Sequence, residues 1–228
     1  MSAVFVTGTG TDIGKTFVTA ALIHELRRRS RNVDALKPVA SGFDPAHVGD
    51  SDPGALLAAL DEPATQAALD RIAPWRFRAP LSPDMAARHE NRAIDFAALV
   101  AHSRAAIAAA PGVLLIEGVG GIMVPLDERH TVLDWMAALN LPLILVAGSY
   151  LGAISHALSA LEVLRTRGLA VTALVVNETP ASTVALDETA ATIARFAAGV
   201  PVIALPRIAD AAQPHPAIGR LTDLLDRF

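Results

Sequence analysis

The chain has 228 residues, of which 52% are hydrophobic, 18% charged and only 4% aromatic, and 19 basic against 23 acidic side chains leave a net charge of −4. This much apolar residue with so little charge excludes an intrinsically disordered chain, and the weak acidity argues against a broad nucleic-acid-binding face. There is no cysteine, which removes disulfides, thiolate-ligated zinc and cysteine nucleophiles from consideration.

The first predicted strand covers residues 3–6 and runs into a glycine-rich segment. A helix follows over residues 15–29, with Val18, Leu22 and Leu26 on one face. A second strand is expected over 33–36 and a helix over 52–60. Residues 43–92 are rich in proline and polar side chains and read as an excursion of loops and short helices. A helix over 96–109 presents Phe96, Leu99, Val100 and Ile107 to one side. Apolar strands follow at 113–116 and 143–147. The helix at 153–165 has Gly168 just past its end. A strand at 171–176, a helix at 186–197, a strand at 201–205 and a helix over 218–228 complete the chain.

Continuous apolar strands that alternate with helices specify a mostly parallel sheet covered on both faces, a three-layer α/β/α architecture. Without low-complexity linker or internal repeat, residues 1–228 are expected to form a single domain. Mean hydropathy is +0.41, yet runs such as 141–147 fall far short of the roughly 18–20 apolar residues of a spanning helix. No basic segment precedes an apolar run near the start, so no secretory signal is expected. A cytoplasmic location with no membrane and no nucleic-acid partner is the expectation.

The sharpest signal is Gly8-Thr9-Gly10-Thr11-Asp12-Ile13-Gly14-Lys15-Thr16, set between a strand and a helix. That context is the one a phosphate-binding P-loop requires. Small residues let backbone N–H groups crowd phosphate oxygens, and the helix N-terminus adds a positive dipole end. Lys15 would reach the β/γ-phosphates of ATP and the Thr16 hydroxyl would bind Mg²⁺. The usual spacing places glycine five residues before the second glycine, where Thr9 stands; here it lies one residue earlier, at Gly8. The longer loop points to a subset of P-loop NTPase-like proteins.

With that loop, Lys37-Pro38-Val39-Ala40-Ser41-Gly42, Ser51-Asp52, Pro80-Leu81-Ser82-Pro83, Glu117-Gly118-Val119-Gly120-Gly121, Leu151-Gly152 with His156, and Val176-Asn177 follow in order. Together, over nearly the whole chain, they resemble the dethiobiotin synthetase family. The resemblance implies an ATP- and Mg²⁺-dependent ligase that joins CO₂ to 7,8-diaminononanoate through a carbamate and a carbamic-phosphoric anhydride. It also implies a homodimer with the substrate site at the subunit interface.

The residue roles follow from that resemblance. Lys37, Lys15 and Thr11 would serve catalysis. Asp12, Ile13, Gly14, Lys15, Thr16, Phe17, Asp52, Glu117, Gly118, Val119, Gly120, Asn177, Glu178, Pro206, Arg207 and Ile208 would hold the nucleotide and its metal. Thr11, Lys37, Ser41, Gly118, Leu151 and Gly152 would hold substrate, and Thr16, Asp52 and Glu117 would be the metal ligands. Read alone, the residues leave more open. A lysine ending a strand before a proline is commonly a solvated terminus. Thr11, Ser41 and Asn177 also suit turns. The glycines after Glu117 suit a plain strand-to-loop turn. Asp50 lies two residues from Asp52, and an acid beside Ser51 is a common helix cap. Glu117 has support of its own: it ends an apolar strand just before glycines, where the Walker-B acid of P-loop proteins lies. Residues 148–153 open a helix whose free N–H groups suit a carboxylate.

The chain departs from the family's habits at Asp12, where Glu is frequent, and at Asp84, where His is common. It departs again at Ser155 and Glu178, which stand for Asn and Asp. Two other readings compete. A partitioning or positioning ATPase acting by ATP-switched dimerisation would carry a signature lysine where this chain has Gly10, and often a basic membrane-targeting terminal helix. The terminal segment here holds Asp223 and Asp226 beside Arg220 and Arg227, a poor match to an anionic surface. An amidotransferase-linked ligase of cobalamin synthesis would need a glutaminase cysteine, which is absent. The run Arg27-Arg28-Arg29-Ser30-Arg31 reads as a solvated helix end. His24, His89, His102 and His130 show no metal spacing, and Trp75 and Trp135 are expected to pack.

Overall fold

A computed structural model describes residues 3–226. In chain order the elements are β1 (Ala3–Gly8), α1 (Lys15–Arg28), β2 (Val33–Leu36), β3 (Val39–Ser41), α2 (Asp52–Ala59), α3 (Gln66–Ile72), β4 (Trp75–Phe77), α4 (Pro83–His89), α5 (Phe96–Ala109), β5 (Val113–Glu117), α6 (Val132–Leu139), β6 (Leu143–Gly148), α7 (Ala153–Thr166), β7 (Val171–Asn177), α8 (Leu186–Phe196), β8 (Val202–Leu205) and α9 (Pro216–Leu225). Six strands form one sheet in the order β2-β5-β1-β6-β7-β8, every pairing parallel. The expected three-layer arrangement is therefore present.

Strand alternation divides the core in two. On one face Val4 and Val6 of β1, Leu115 of β5, Ile144 of β6 and Val175 of β7 pack against α1, α2 and α9. On the other, Phe5, Ile116, Leu145 and Leu174 pack against α5, α6, α7 and α8. Strands buried on both faces need apolar side chains at every position, which accounts for the positive hydropathy. The largest wholly buried side chain, Trp135 of α6, meets the Phe5 ring edge-on at 4.8 Å and donates its indole N–H to Ser103 Oγ at 3.2 Å.

Several elements go beyond the sequence expectation. Between residues 43 and 92 the short helices α2, α3 and α4 are accompanied by β4, which pairs in parallel with β3 as a separate two-stranded sheet. Helix α6 was not anticipated; Asp134 Oδ2 accepts from the Thr131 backbone N–H at 2.8 Å, a cap inside a stretch for which no element was expected. β1, β5, β6 and β7 each run farther than expected, so Glu117 and Asn177 are the last residues of β5 and β7. The final helix begins at Pro216, and residues 227–228 of its expected span lie outside the described residues. The basic run is not simply solvated: Arg29 bonds Glu25 at 2.7 Å and Asp223 at 2.6 Å, and Arg31 pairs with Asp226, which fastens α9 to α1.

Candidate active site

In a parallel sheet the loops after the strands gather at the C-terminal edge. Here β1 lies between β5 and β6, so the loop of residues 9–14 emerges beside the ends of both. Thr9 N–H donates to Val146 O and Gly118 N–H to Val6 O, each at 2.9 Å, which locks the three loops together. A Cβ at Gly8 would lie 2.5 Å from Ile13 Cδ1, a side-chain end that can move, and 3.1 Å from Val146 O, a tight approach to β6 that glycine relieves. Gly14 caps α1 with φ +90° and no side-chain acceptor. The first N–H groups of α1 are thus left to an external acceptor, the geometry that favours an anion.

Two lysines and three oxygen-bearing side chains converge behind the loop. Lys15, 7% exposed, donates from Nζ to Gly10 O at 2.6 Å. Burial, reinforced by the nearby Lys37 charge, lowers its pKa to about 8. Lys37 is 1% exposed; the solvated-terminus alternative does not hold. Its Nζ donates to Gly118 O at 2.7 Å and to Glu117 Oε1 at 2.8 Å, and lies 3.1 Å from Asp52 Oδ2. Burial alone would lower the Lys37 pKa, but Glu117 and Asp52 outweigh it and raise it. For Asp52, burial works upward and is overcome by the Lys37 charge and the Thr16 hydrogen bond, which lower its pKa.

Thr16 Oγ1 lies 2.8 Å from Asp52 Oδ1 and 2.7 Å from Glu117 Oε1. Glu117 is wholly buried and its Oε2 has no hydrogen-bond partner in the protein. A hydroxyl and two carboxylates on one point form a set of hard oxygen donors, one buried oxygen still unpartnered, which fits Mg²⁺. Between the two acids near Ser51, geometry favours Asp52: it joins Thr16 and Lys37, whereas Asp50 only lines the cavity beside them.

A cavity of about 870 Å³ opens in front of these groups. Of the predicted residues, Thr11, Asp12, Gly14, Lys15, Thr16, Lys37, Ser41, Asp52, Val119 and Gly120 line it. Asp12 holds a left-handed φ of 55°, which a short acidic side chain tolerates. Ser41 Oγ is buried without a partner. Phe43, Leu81, Pro83 and Val124 add an apolar wall absent from the sequence-based site, although Pro80–Pro83 stood out as a motif.

Other predicted residues lie outside that lining. Ile13 is buried in the α1-side core, with Phe17 and Ile208 packed against it, so Ile13 presents backbone alone. Asn177 Nδ2 donates to Ile13 O at 3.0 Å, and a Cβ on Gly14 would strike that amide at 2.2 Å. Glu178 Oε2 accepts from Arg207 N–H at 2.7 Å. Asn177, Glu178 and the segment Pro206–Ile208 thus form a second edge beside the phosphate loop, brought together by the β7–β8 pairing. Leu151 is 86% exposed and Gly152 caps α7 at φ +100° with no side-chain acceptor; neither reaches the cavity lining.

Comparison with known proteins agrees with this geometry. A family described as "AAA domain" matches residues 2–215. The ATP-dependent dethiobiotin synthetase BioD of Methylobacterium nodulans is 52% identical over 91% of this chain and 94% of its own length. That of Acidiphilium cryptum is 48% identical over 88% and 91%, and that of Anaeromyxobacter dehalogenans 38% identical over 97% of each. Among solved structures, the cell division ATPase MinD of Pyrococcus furiosus superposes with a TM-score of 0.60 at 18% identity, covering 100% of this chain and 99% of that one. At that identity the likeness concerns the fold alone. On the sequence comparison the positioning-ATPase alternative is not favoured, and the chain belongs to the ATP-dependent dethiobiotin synthetase family.

Proposed function

We propose that this protein closes the cyclic urea of dethiobiotin from 7,8-diaminononanoate, CO₂ and ATP. The observation that supports this best is the adjoining of a phosphate loop and the buried Lys37–Glu117 pair, with Asp52 half exposed beside it, on a cavity with an apolar wall. In the proposed sequence one amine of the substrate adds to CO₂ and loses a proton, giving a carbamate. The carbamate oxygen attacks the γ-phosphorus of ATP and ADP leaves. The second amine then attacks the carbamoyl carbon, phosphate departs and the ring closes.

Each step needs charge control more than covalent help from the protein. Lys15 meets the β/γ-phosphates and exchanges its bond to Gly10 O for phosphate oxygens. Lys37, between the cluster and the cavity, steadies the carbamate and the transferring phosphoryl group. Thr16, Asp52 and Glu117 would hold Mg²⁺, which supplies charge neutralisation on the phosphate oxygens. Thr11 and Ser41 offer hydroxyls to the amines or the carbamate, and Gly118–Gly120 let backbone approach closely. Phe43, Leu81 and Val124 suit the aliphatic chain. The Asn177 carbonyl oxygen, left free by its amide's bond to Ile13, suits the adenine edge, with Glu178 and Pro206–Ile208 beside it.

The cations in this lining, Lys15 and Lys37, are given to the phosphates and the carbamate, which leaves the substrate's distant carboxylate to be held elsewhere. We read Leu151 and Gly152, at the uncapped start of α7, as an anchor for substrate held mainly by a second subunit. The reading therefore includes a homodimer with the site at its interface, as the family resemblance implies. The reading is tested by incubating the protein with Mg·ATP, 7,8-diaminononanoate and bicarbonate and seeking dethiobiotin by mass spectrometry. Absence of that product, with ATP bound, would overturn it.

A further inference from the structure

Lys37 rests one buried positive charge on the two carboxylates that the reading above assigns to the metal. Its three protons face three acceptors: Glu117 Oε1 at 2.8 Å, Gly118 O at 2.7 Å and Asp52 Oδ2 at 3.1 Å. Thr16 Oγ1 takes Asp52 Oδ1 at 2.8 Å and shares Glu117 Oε1 at 2.7 Å. Three of the four carboxylate oxygens are therefore engaged. The fourth, Glu117 Oε2, is enclosed by protein. A divalent cation that binds through the engaged oxygens must displace the lysine's bonds and then stand beside its charge, where Lys37 and Glu117 are buried and Asp52 is half exposed.

We propose that the Lys37 ammonium and a divalent cation compete for the Glu117–Asp52 carboxylate pair. Lys37 thereby excludes a free-standing cation, and metal enters together with nucleotide, whose phosphates add the negative charge that lets both cations stay. Lys37 is then a positioning residue for metal uptake as well as a contact to the transferring group. The inference rests on the assignment of Thr16, Asp52 and Glu117 as ligands, and it is independent of which diamine is used.

The test is Mn²⁺ binding to the nucleotide-free, full-length protein, read from the electron paramagnetic resonance signal of free Mn²⁺. No diamine or bicarbonate is present, so the result stands apart from the product test. Removing the charge in Lys37→Met should tighten Mn²⁺ binding by about tenfold or more. Lys37→Arg, which keeps the charge, should bind as weakly as wild type. A non-hydrolysable ATP analogue should restore Mn²⁺ binding to wild type and narrow the gap. A Met variant no tighter than wild type, or an Arg variant that gains equally, overturns the proposal. Should Lys37→Met fail to fold by circular dichroism, wild type alone decides: nucleotide-free binding as tight as with the analogue contradicts the competition.

Discussion

Lys15 and Lys37 bring two like charges to one loop, and their surroundings separate their behaviour. Burial and the Lys37 charge hold Lys15 down at about 8, so above that pH the nucleotide-free protein loses its charge there. Phosphate oxygens favour the charged form, so nucleotide binding above pH 8 must take up a proton. ATP affinity should therefore fall by up to about tenfold per pH unit above about pH 8. Calorimetry in two buffers of different ionisation enthalpy would show the uptake, and Lys15→Arg should flatten the profile. An affinity unchanged between about pH 7 and 9.5 would refute this view of Lys15. Lys37→Ala should abolish turnover while ATP still binds, because the lysine touches the phosphate loop through the carboxylates rather than directly. Turnover near the wild-type rate would show that Lys37 is not needed for the chemistry.

At the scale of elements, α2 sets the position of Asp52. Ser51 caps this helix, accepting from Gly54 N–H at 3.2 Å, and a Cβ on Gly54 would lie 1.9 Å from Val48 O. Alanine in a helix is ordinarily favoured over glycine by about 1 kcal/mol. Here Gly54→Ala should instead destabilise by about 1–3 kcal/mol, as overpacking does, and weaken Mg²⁺-dependent turnover by moving Asp52. A higher melting temperature would reverse the argument. The long apolar strands and α1, α5 and α7 were legible because each carries its own periodicity. β3 and β4 were not: each has three residues, and they pair across an intervening helical stretch. Helix α6 hid behind residues 118–131, where three glycines and Pro125 suggest loop. Besides Glu25, the acids that pair with Arg29 and Arg31 are Asp223 and Asp226, at the far end of the chain, so sequence proximity gave no hint of the clamp.

For the whole molecule, the phosphate loop was readable as a contiguous motif and Glu117 as an acid ending an apolar strand before glycines, whereas Lys37 and Asp52 were legible only through resemblance. The cluster's members come from the first turn of α1, the end of β2, α2 and β5, and Lys37 finds Glu117 80 residues away. The burial of Lys37 is a property of the assembled sheet. The interface reading carries its own expectation: light scattering should give twice the 23.8 kDa chain mass, and a charge at Leu151 should raise the KM for the diamine more than that for ATP. A fully active monomer would contradict it. The central claim is that ATP cleavage is coupled to ring closure, and phosphate release tests it most directly. Purified protein with Mg·ATP should release phosphate only when 7,8-diaminononanoate and bicarbonate are both present; release at the same rate without the diamine would contradict the account.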